Sequence, residues 1–296
     1  MHRETDFFMS SIFNQLTYPF PVKFIEINEY NIAYIDEGTS QNTLLFIHGL
    51  GSYLKAWERN IPELKKHFRC IALDLPGYGK SSKQIHSGEM TFYTSFLYNF
   101  IAKLELKNIS LAGHSMGGQI TISFALKFPY KINKIVLAAP AGFESFEHKD
   151  IEWIRKNISP QILYNSSDHQ IRLNYLYNFY KMPLEAEQMI ADRIAIKDDD
   201  EFSNHCNVVS NSLFGLLNSP IFNQLNEINI PALTLFGLND LLIPNKFLHQ
   251  TTTKEIAEVG AGEIKNSKLV LLNECGHFLQ YEKPDEFNSE VISFFR

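Results

Sequence analysis

The feature that most constrains the fold is an alternation of short apolar runs with segments long enough to form helices. Runs rich in Ile, Leu and Val lie at residues 44–47, 70–73, 109–112, 134–139, 232–236 and 268–272. None of them shows regular polar alternation, which is typical of strands covered on both faces. Strands separated by helix-length segments pair in parallel through crossover connections. The chain is therefore predicted to adopt an α/β fold with a mostly parallel, doubly wound sheet.

Two parts of the chain depart from this alternation. Residues 22–27 and 31–35 have strand character and flank a short turn, which predicts an antiparallel pair at the start of the sheet. Between residues 139 and 232 the periodicity becomes helical. Helix candidates in this interval are residues 151–158, 171–180, 183–196 and 204–217, with Pro183 suited to a first helical turn. The interval is therefore predicted to be an inserted helical subdomain.

A candidate nucleophile lies between a predicted strand and a predicted helix. The pentapeptide GHSMG at residues 113–117 follows the run at 109–112 and precedes a helical pattern at 119–128. A serine at such a corner occupies a strained turn, where small neighbours avoid clashes and the hydroxyl projects above the sheet. A plain glycine turn before a helix is the alternative interpretation. The flanking strand and helix favour Ser115 as a nucleophile.

A serine hydroxyl is a weak nucleophile without a base, and the base needs an acid to orient it. His277 follows the run at 268–272, and Asp240 follows the run at 232–236. Loops at the carboxyl ends of parallel strands open toward one edge of the sheet, which is also the edge of Ser115. Singly, His277 can be a surface or capping histidine and Asp240 a helix cap. Their order after Ser115 is that of the triad in folds with this serine turn, so together they are predicted as base and acid.

Acyl chemistry also needs hydrogen-bond donors where negative charge develops. The run at 44–47 ends in HGLGS at residues 48–52, a glycine-rich loop that can approach Ser115. We predict an oxyanion hole made by the backbone N–H groups of Leu50 and Met116, the latter because it follows the nucleophile. For His48, support of this loop through a hydrogen bond at a strand end is a simpler interpretation than a part in the chemistry.

Taken together, these motifs resemble those of the α/β-hydrolase superfamily over essentially the whole chain. The matching pieces are HG at 48–49 with Trp57 downstream, DLPGYGKS at 74–81, the Ser115 turn, GLND at 237–240 with Pro244, and GHF at 276–278. The resemblance implies a cap-bearing, esterase-like serine hydrolase that uses no cofactor and no metal. It also implies a core of residues 1–142 and 226–296, with a helical cap at residues 143–225 inserted after the sixth strand.

Several activities are compatible with such a triad. Hydrolysis of carboxylic esters of small to medium, partly apolar substrates needs no further group and is the first expectation. The same triad can cleave a carbon–carbon bond of a ring-cleavage product, or transfer an acyl group to an acceptor other than water. In carbon–carbon bond hydrolases of this fold a Trp commonly follows the histidine, whereas Phe278 does so here. A non-catalytic ligand receptor on the same fold is the alternative from another class.

Charge and cysteine content narrow the partners and the compartment. The net charge of −6 comes without a long single-sign run, so no nucleic-acid partner is expected and the predicted partner is a small-molecule substrate. Cys70, Cys206 and Cys275 are widely spaced and odd in number, which fits neither a disulfide framework nor a metal knuckle. A reducing, cytoplasmic location is therefore predicted.

The N-terminus shows neither a signal peptide nor a spanning helix, because charged residues and Pro19 interrupt its apolar residues. Its apolar residues, Phe7, Phe8, Ile12 and Phe13, fit a short helix packed on the domain. An amphipathic membrane anchor is the alternative, but stable membrane association is not expected.

Overall fold

A computed structural model describes residues 11–296 of the chain. In these residues, eight strands form a sheet: β1 (Lys23–Ile27), β2 (Tyr30–Glu37), β3 (Thr43–Ile47), β4 (Arg69–Leu73), β5 (Ile109–His114), β6 (Ile135–Ala138), β7 (Ala232–Gly237) and β8 (Ser267–Leu272). The strand order is β1-β2-β4-β3-β5-β6-β7-β8. β2 pairs in antiparallel fashion with β1 and β4, and the other neighbouring strands are parallel. The predicted α/β fold with a mostly parallel sheet is confirmed.

Burial along the strands follows their place in the sheet. Every residue of the central strands β3, β5, β6 and β7 is buried, since helices cover both faces. The edge strand β1 instead exposes most of its residues. This difference explains why the central strands read as continuous apolar runs in the sequence.

Helices cover the sheet and fill the interval between β6 and β7. They are α1 (Ile12–Gln15), α2 (Ile61–Leu64), α3 (Met90–Lys103), α4 (Met116–Lys127), α5 (His148–Asn157), α6 (Pro160–Tyr164), α7 (Asp168–Leu176), α8 (Ala186–Ala195), α9 (Phe202–Leu217), α10 (Thr253–Glu263), α11 (Leu279–Glu282) and α12 (Pro284–Phe295). None of the helices found in residues 11–296 combines the length and the apolar character that crossing a membrane requires.

The interval between β6 and β7 is helical, as its periodicity predicts. It holds α5 to α9, of which the short α6 is not predicted by periodicity. The signal for α6 is local instead: Ser159 caps it by accepting from Ile162 N, and a proline occupies its first position. The expectation for Pro183 was wrong, because α8 begins three residues later, at Ala186. Pro183 lies before the helix, where its carbonyl accepts from Ala186 N.

The short helix α1 packs on the rest of the molecule. Phe13 is 1% exposed and lies in an apolar cluster with Leu16, Phe202 and Cys206. This packing fits a helix that docks on the domain better than a membrane anchor. Phe7 and Phe8 lie outside the described residues.

Candidate active site

Ser115 lies at the corner between β5 and α4. Its backbone has φ 54° and ψ −117°, in the left-handed half of φ space that a residue with a Cβ atom adopts only at a cost. Hydrogen bonds hold this conformation. Ser115 N donates to Ala138 O at 3.0 Å, and Ser115 O accepts from Gly118 N at 2.8 Å. The serine therefore occupies the strained, tightly held turn that the sequence pattern predicts.

Close backbone packing requires glycine on both sides of the serine. A Cβ atom on Gly113 would lie 2.2 Å from Gly117 O, and one on Gly117 would lie 2.3 Å from Ile47 O. Both distances are far inside van der Waals contact, and both obstacles are backbone atoms. The two glycines thus allow β3, β5 and α4 to meet beside Ser115.

His277, after β8, and Asp240, after β7, form a buried hydrogen-bonded pair. His277 Nδ1 lies 2.7 Å from Asp240 Oδ2. Asp240 Oδ1 accepts from the backbone N–H groups of Leu242 at 2.7 Å and Ile243 at 3.0 Å. Because an ionised carboxylate can only accept, Nδ1 carries the proton of this bond, and Nε2 of His277 is left as an acceptor.

Ser115 and His277 line the same cavity, whereas Asp240 lies behind His277 and does not line it. In the described part of the chain, no hydrogen bond joins Ser115 Oγ to the His277 ring. Hydrogen bonds between a nucleophile and its base often shorten only when substrate binds. The structure thus brings the three predicted residues into one arrangement in which the His277–Asp240 contact is formed.

The loop after β3 brings backbone amides beside Ser115. A Cβ atom on Gly49 would lie 3.1 Å from Ser115 Cβ, so the loop passes directly next to the serine. Leu50 and Met116 line the cavity together with Ser115. Met116 is the first residue of α4, where amides have no intrahelical acceptor. Within residues 11–296, neither the Leu50 nor the Met116 N–H donates to a protein acceptor, so both can donate to a bound oxygen atom.

His48 anchors this loop through contacts of its ring nitrogens. Its Nε2 accepts from Leu75 N at 3.0 Å, and its Nδ1 lies 2.8 Å from Gly49 O. Burial lowers the pKa of His48 to about 4, so the ring is neutral at pH 7. These contacts agree with the predicted supporting role, since His48 fastens the end of β3 to the segment that begins at residue 74.

A cavity of about 480 Å³ opens above Ser115. Much of its wall is apolar and comes from the helical interval, namely Phe146, Trp153, Ile154, Ile158, Tyr177, Leu213, Leu216 and Leu217. Among the described residues that line it, none is Lys or Arg. Nor does the structure, over residues 11–296, group three or more His, Cys, Asp or Glu side chains as metal ligands.

The lining includes polar residues to which the sequence analysis assigns no role, among them His114, Gln119 and Glu144. His114 Nε2 lies 3.1 Å from the carbonyl oxygen of His277, and burial holds the pKa of His114 well below its ordinary value. Its neutral ring therefore supports the His277 backbone. Glu144 follows the end of β6, so the strand-end rule that found Asp240 also applies to it.

A smaller pocket of about 200 Å³ adjoins the cavity and shares Leu50, Asn174, Asn178 and Phe278 with it. Arg193 of α8 lines this pocket. In residues 11–296 no carboxylate lies within ion-pair distance of its guanidinium, which contacts His205 and lies 5.4 Å from the centroid of the Phe202 ring. An arginine without an acidic partner thus borders the loop that carries Leu50.

Comparisons with known proteins agree with this architecture. The family model described as alpha/beta hydrolase fold matches residues 42–284. A 2-hydroxy-6-oxononadienedioate/2-hydroxy-6-oxononatrienedioate hydrolase from Pseudomonas putida is 28% identical over 286 residues, covering 92% of this chain and 95% of that protein. A dihydrolipoyllysine-residue acetyltransferase component of the acetoin cleaving system from Cupriavidus necator is 24% identical, covering 90% of this chain and 67% of that protein.

A solved structure extends the comparison to three dimensions. A probable hydrolytic enzyme from Pseudomonas aeruginosa PAO1 superimposes with a TM-score of 0.83 and covers 95% of this chain and 96% of its own. The two sequences are 21% identical, a level at which the similarity speaks for the fold alone.

Proposed function

The chain belongs to the alpha/beta hydrolase family and is an enzyme of the hydrolase class, and from that premise we propose that it hydrolyses carboxylic esters through Ser115, His277 and Asp240. The observation that carries the proposal is the buried His277–Asp240 pair, joined at 2.7 Å behind the cavity that Ser115 lines. An oriented imidazole beside a serine is what acyl transfer needs. Membership of the hydrolase class argues against a non-catalytic ligand receptor.

The proposed reaction proceeds through an acyl-enzyme. His277 Nε2 takes the proton of Ser115 Oγ as the oxygen attacks the acyl carbon, and then gives it to the leaving alcohol. Asp240 stays ionised and stabilises the imidazolium. The amides of Leu50 and Met116 donate to the developing oxyanion, and a single donor of this kind contributes about 100- to 1000-fold in rate. Water, activated by His277, then releases the acyl group from Ser115.

The helical segment 143–225 acts in this proposal as a cap over the cavity. Its side chains form much of the apolar wall, which suits the acyl or alcohol part of a small to medium ester. The cap is also fastened to the loop after β3. Asp192 of α8 accepts from Tyr53 Oη at 2.5 Å and from Lys55 Nζ at 3.1 Å, and all three side chains are buried. This contact links the cap to the loop that carries Leu50.

The composition of the cavity wall favours an ester over a dicarboxylate. Glu144 is the carboxylate of the lining, and the described lining contains no Lys or Arg to bind an anion. A substrate with two carboxylates would need to lose the hydration of both charges without cations in this cavity to replace it. A neutral ester meets no such penalty.

Carbon–carbon bond hydrolysis is the second candidate, and a specific observation favours it. Arg193, which has no acidic partner in residues 11–296, lines the pocket beside Leu50 and can receive one carboxylate. The relative from Pseudomonas putida is named for the hydrolysis of dienedioates. Transfer of the acyl group to an acceptor other than water is a further variant, since it uses the same acyl-enzyme.

We also propose a cytoplasmic location and a small-molecule substrate. The support for the location is that Cys70, Cys206 and Cys275 are separate, buried thiols, a state that a reducing compartment maintains. The support for the substrate is the size of the cavity above Ser115.

The deciding experiment labels the protein with a fluorophosphonate probe and measures turnover of p-nitrophenyl esters beside a ring-cleavage dienoate. Wild type should be labelled at Ser115 and should hydrolyse the esters faster than the dienoate. Ser115→Ala should lose both the label and the ester turnover. The matched control is Ser145→Ala, which removes a hydroxyl from the same cavity and should keep both. Normal labelling of Ser115→Ala would refute the nucleophile, and a faster dienoate would favour the second candidate.

A further inference from the structure

The cavity wall after β6 carries a carboxylate that the ester chemistry does not use. Glu144 is 8% exposed and lines the cavity. Its Oε1 accepts from Asn245 N at 2.8 Å and lies 2.5 Å from His249 Nδ1. Its Oε2 has no hydrogen-bond partner in the described residues. One oxygen thus holds the side chain in place, while the other remains available to a ligand in the cavity.

The titratable groups beside Glu144 on this wall are a second carboxylate and one imidazole, Asp150 and His249. Nε2 of His249 lies 3.6 Å from Oδ2 of Asp150, so a single imidazole faces two carboxylates. Burial raises the pKa of Glu144, and the hydrogen bonds from His249 and Asn245 oppose that rise. With both carboxylates ionised, even a protonated His249 leaves one negative charge.

A second acceptor borders the same wall. Gln119 of α4 is 1% exposed, and its Nε2 donates to Leu216 O at 3.0 Å and to Ser219 O at 2.8 Å. These two carbonyls determine which way the amide faces, because only its nitrogen can donate to them. Its Oε1 is then left buried without a partner. The Gln119 side chain also lies against the turn at Gly142, two residues before Glu144.

We propose that Glu144 selects esters that carry a hydrogen-bond donor, a hydroxyl or a protonated amine, and discriminates against esters with a carboxylate at that position. The inference rests on the ester hydrolysis proposed above and names its substrate class. An acceptor oxygen without a partner in the protein gains a hydrogen bond from a donor, whereas a substrate carboxylate at the same place meets another acceptor and also loses its hydration. Asn245 and His249 hold the carboxylate in place, so little side-chain freedom is lost when a donor binds.

Two matched ester series test the selectivity. One series varies the terminal group of the acyl chain of p-nitrophenyl hexanoate, and the other varies the terminal group of the alcohol of a hexyl acetate. In each series the terminal group is methyl, hydroxyl, ammonium or carboxylate. In at least one series, kcat/KM for the hydroxyl and ammonium esters should exceed that for the carboxylate ester by about tenfold or more. If in neither series the hydroxyl and ammonium esters exceed both the methyl and the carboxylate ester in kcat/KM, the inference is overturned.

The variant Glu144→Gln shows whether Glu144 is responsible. Its amide oxygen can keep the bonds from Asn245 and His249, and its NH₂ group then takes the place of Oε2. The ratio of kcat/KM for ammonium over carboxylate esters should fall by about tenfold or more, because an acceptor has become a donor. The matched control Glu263→Gln, at the exposed end of α10 and outside the cavity lining, should leave that ratio unchanged. An unchanged ratio in a folded Glu144→Gln would overturn the assignment.

The failure of the selectivity and the failure of ester hydrolysis give different results. If wild type is not labelled at Ser115 and hydrolyses none of the esters, the ester proposal fails and the inference fails with it. If it is labelled and hydrolyses the methyl esters as fast as the hydroxyl and ammonium esters, only the selectivity fails. Should Glu144→Gln not fold, as judged by its thermal unfolding, the wild-type ratios alone decide.

Discussion

Replacing Asp240 by Asn tests the orientation of the His277 ring. Oδ1 of Asp240 accepts from two backbone N–H groups, those of Leu242 and Ile243. An Asn at this position keeps those bonds only if its amide oxygen faces them, because the alternative would place an NH₂ group against two donors. Its nitrogen then faces Nδ1 of His277. The ring must accept there, so its proton moves to Nε2, which is the wrong tautomer for deprotonating Ser115.

The size of the effect follows from this forced tautomer. In a serine protease triad the same replacement lowers kcat by about 10⁴ with the geometry intact. That factor corresponds to about 5.5 kcal/mol of transition-state stabilisation. The loss here should be of the same order, since both backbone bonds to Oδ1 survive and no buried group is left unpaired. Stability should therefore change little, while turnover falls steeply.

The assay is turnover of a p-nitrophenyl ester, with thermal unfolding as the check on folding. The control is Asn239→Ala, which changes the exposed neighbour of Asp240 and should keep wild-type turnover. Asp240→Ala should lose turnover and also stability, because it removes the acceptor of the part-buried Leu242 N–H and of the buried Ile243 N–H, and a buried N–H left without a partner costs about 1–3 kcal/mol. Turnover of Asp240→Asn within tenfold of wild type would refute the reasoning and locate the acid elsewhere.

Two further predictions concern the loop and the turn around Ser115. The pKa of His48 is about 4 in the folded protein and 6.5 as the ordinary value, so between these pH values the unfolded state binds the proton and the folded state does not. The unfolding free energy is therefore highest above pH 6.5 and falls as the pH drops toward 4. The unfolding free energy of wild type relative to His48→Gln should therefore shrink by about 3 kcal/mol between pH 7 and 4 in denaturant titrations, and a constant difference would contradict the pKa shift. Gly117→Ala places a Cβ atom 2.3 Å from Ile47 O and should lower both the melting temperature and fluorophosphonate labelling. In contrast, Gly262→Ala in α10 meets nothing within 4 Å and should stabilise by about 0.5–1 kcal/mol; equal melting temperatures for the two variants would show that the corner is not tightly packed.

The backbone framework of the site could be predicted from sequence because its signals are local. A strand buried on both faces reads as an apolar run, and the residues just after it lie at the carboxyl edge of the sheet. Ser115, Asp240 and His277 each follow such a run, so their shared edge is a property of topology. The need for glycine at positions 113 and 117 could be predicted in the same way, because the corner leaves no room for a Cβ atom.

Other elements escaped prediction for equally physical reasons. Helix α6 is too short for a periodic signal, and its start depends on the Ser159 cap. A proline suits the first turn of a helix but does not by itself start one, and α8 begins after Pro183 rather than at it. The boundaries of helices depend on which backbone groups find partners, and tertiary contacts influence that choice.

By itself, the sequence determined the sheet, the helical interval and the placement of Ser115, Asp240 and His277 at one edge. The reason is that buried strands appear as apolar runs of neighbouring residues, and the order of these runs along the chain can be read directly. Only the tertiary structure decided the cavity wall. Glu144 meets His249 and Asn245 from another loop, and Arg193 reaches the loop of Leu50 from α8. Such contacts join residues far apart in the chain, and they depend on side-chain direction and on the packing of the helical interval, which no local pattern encodes.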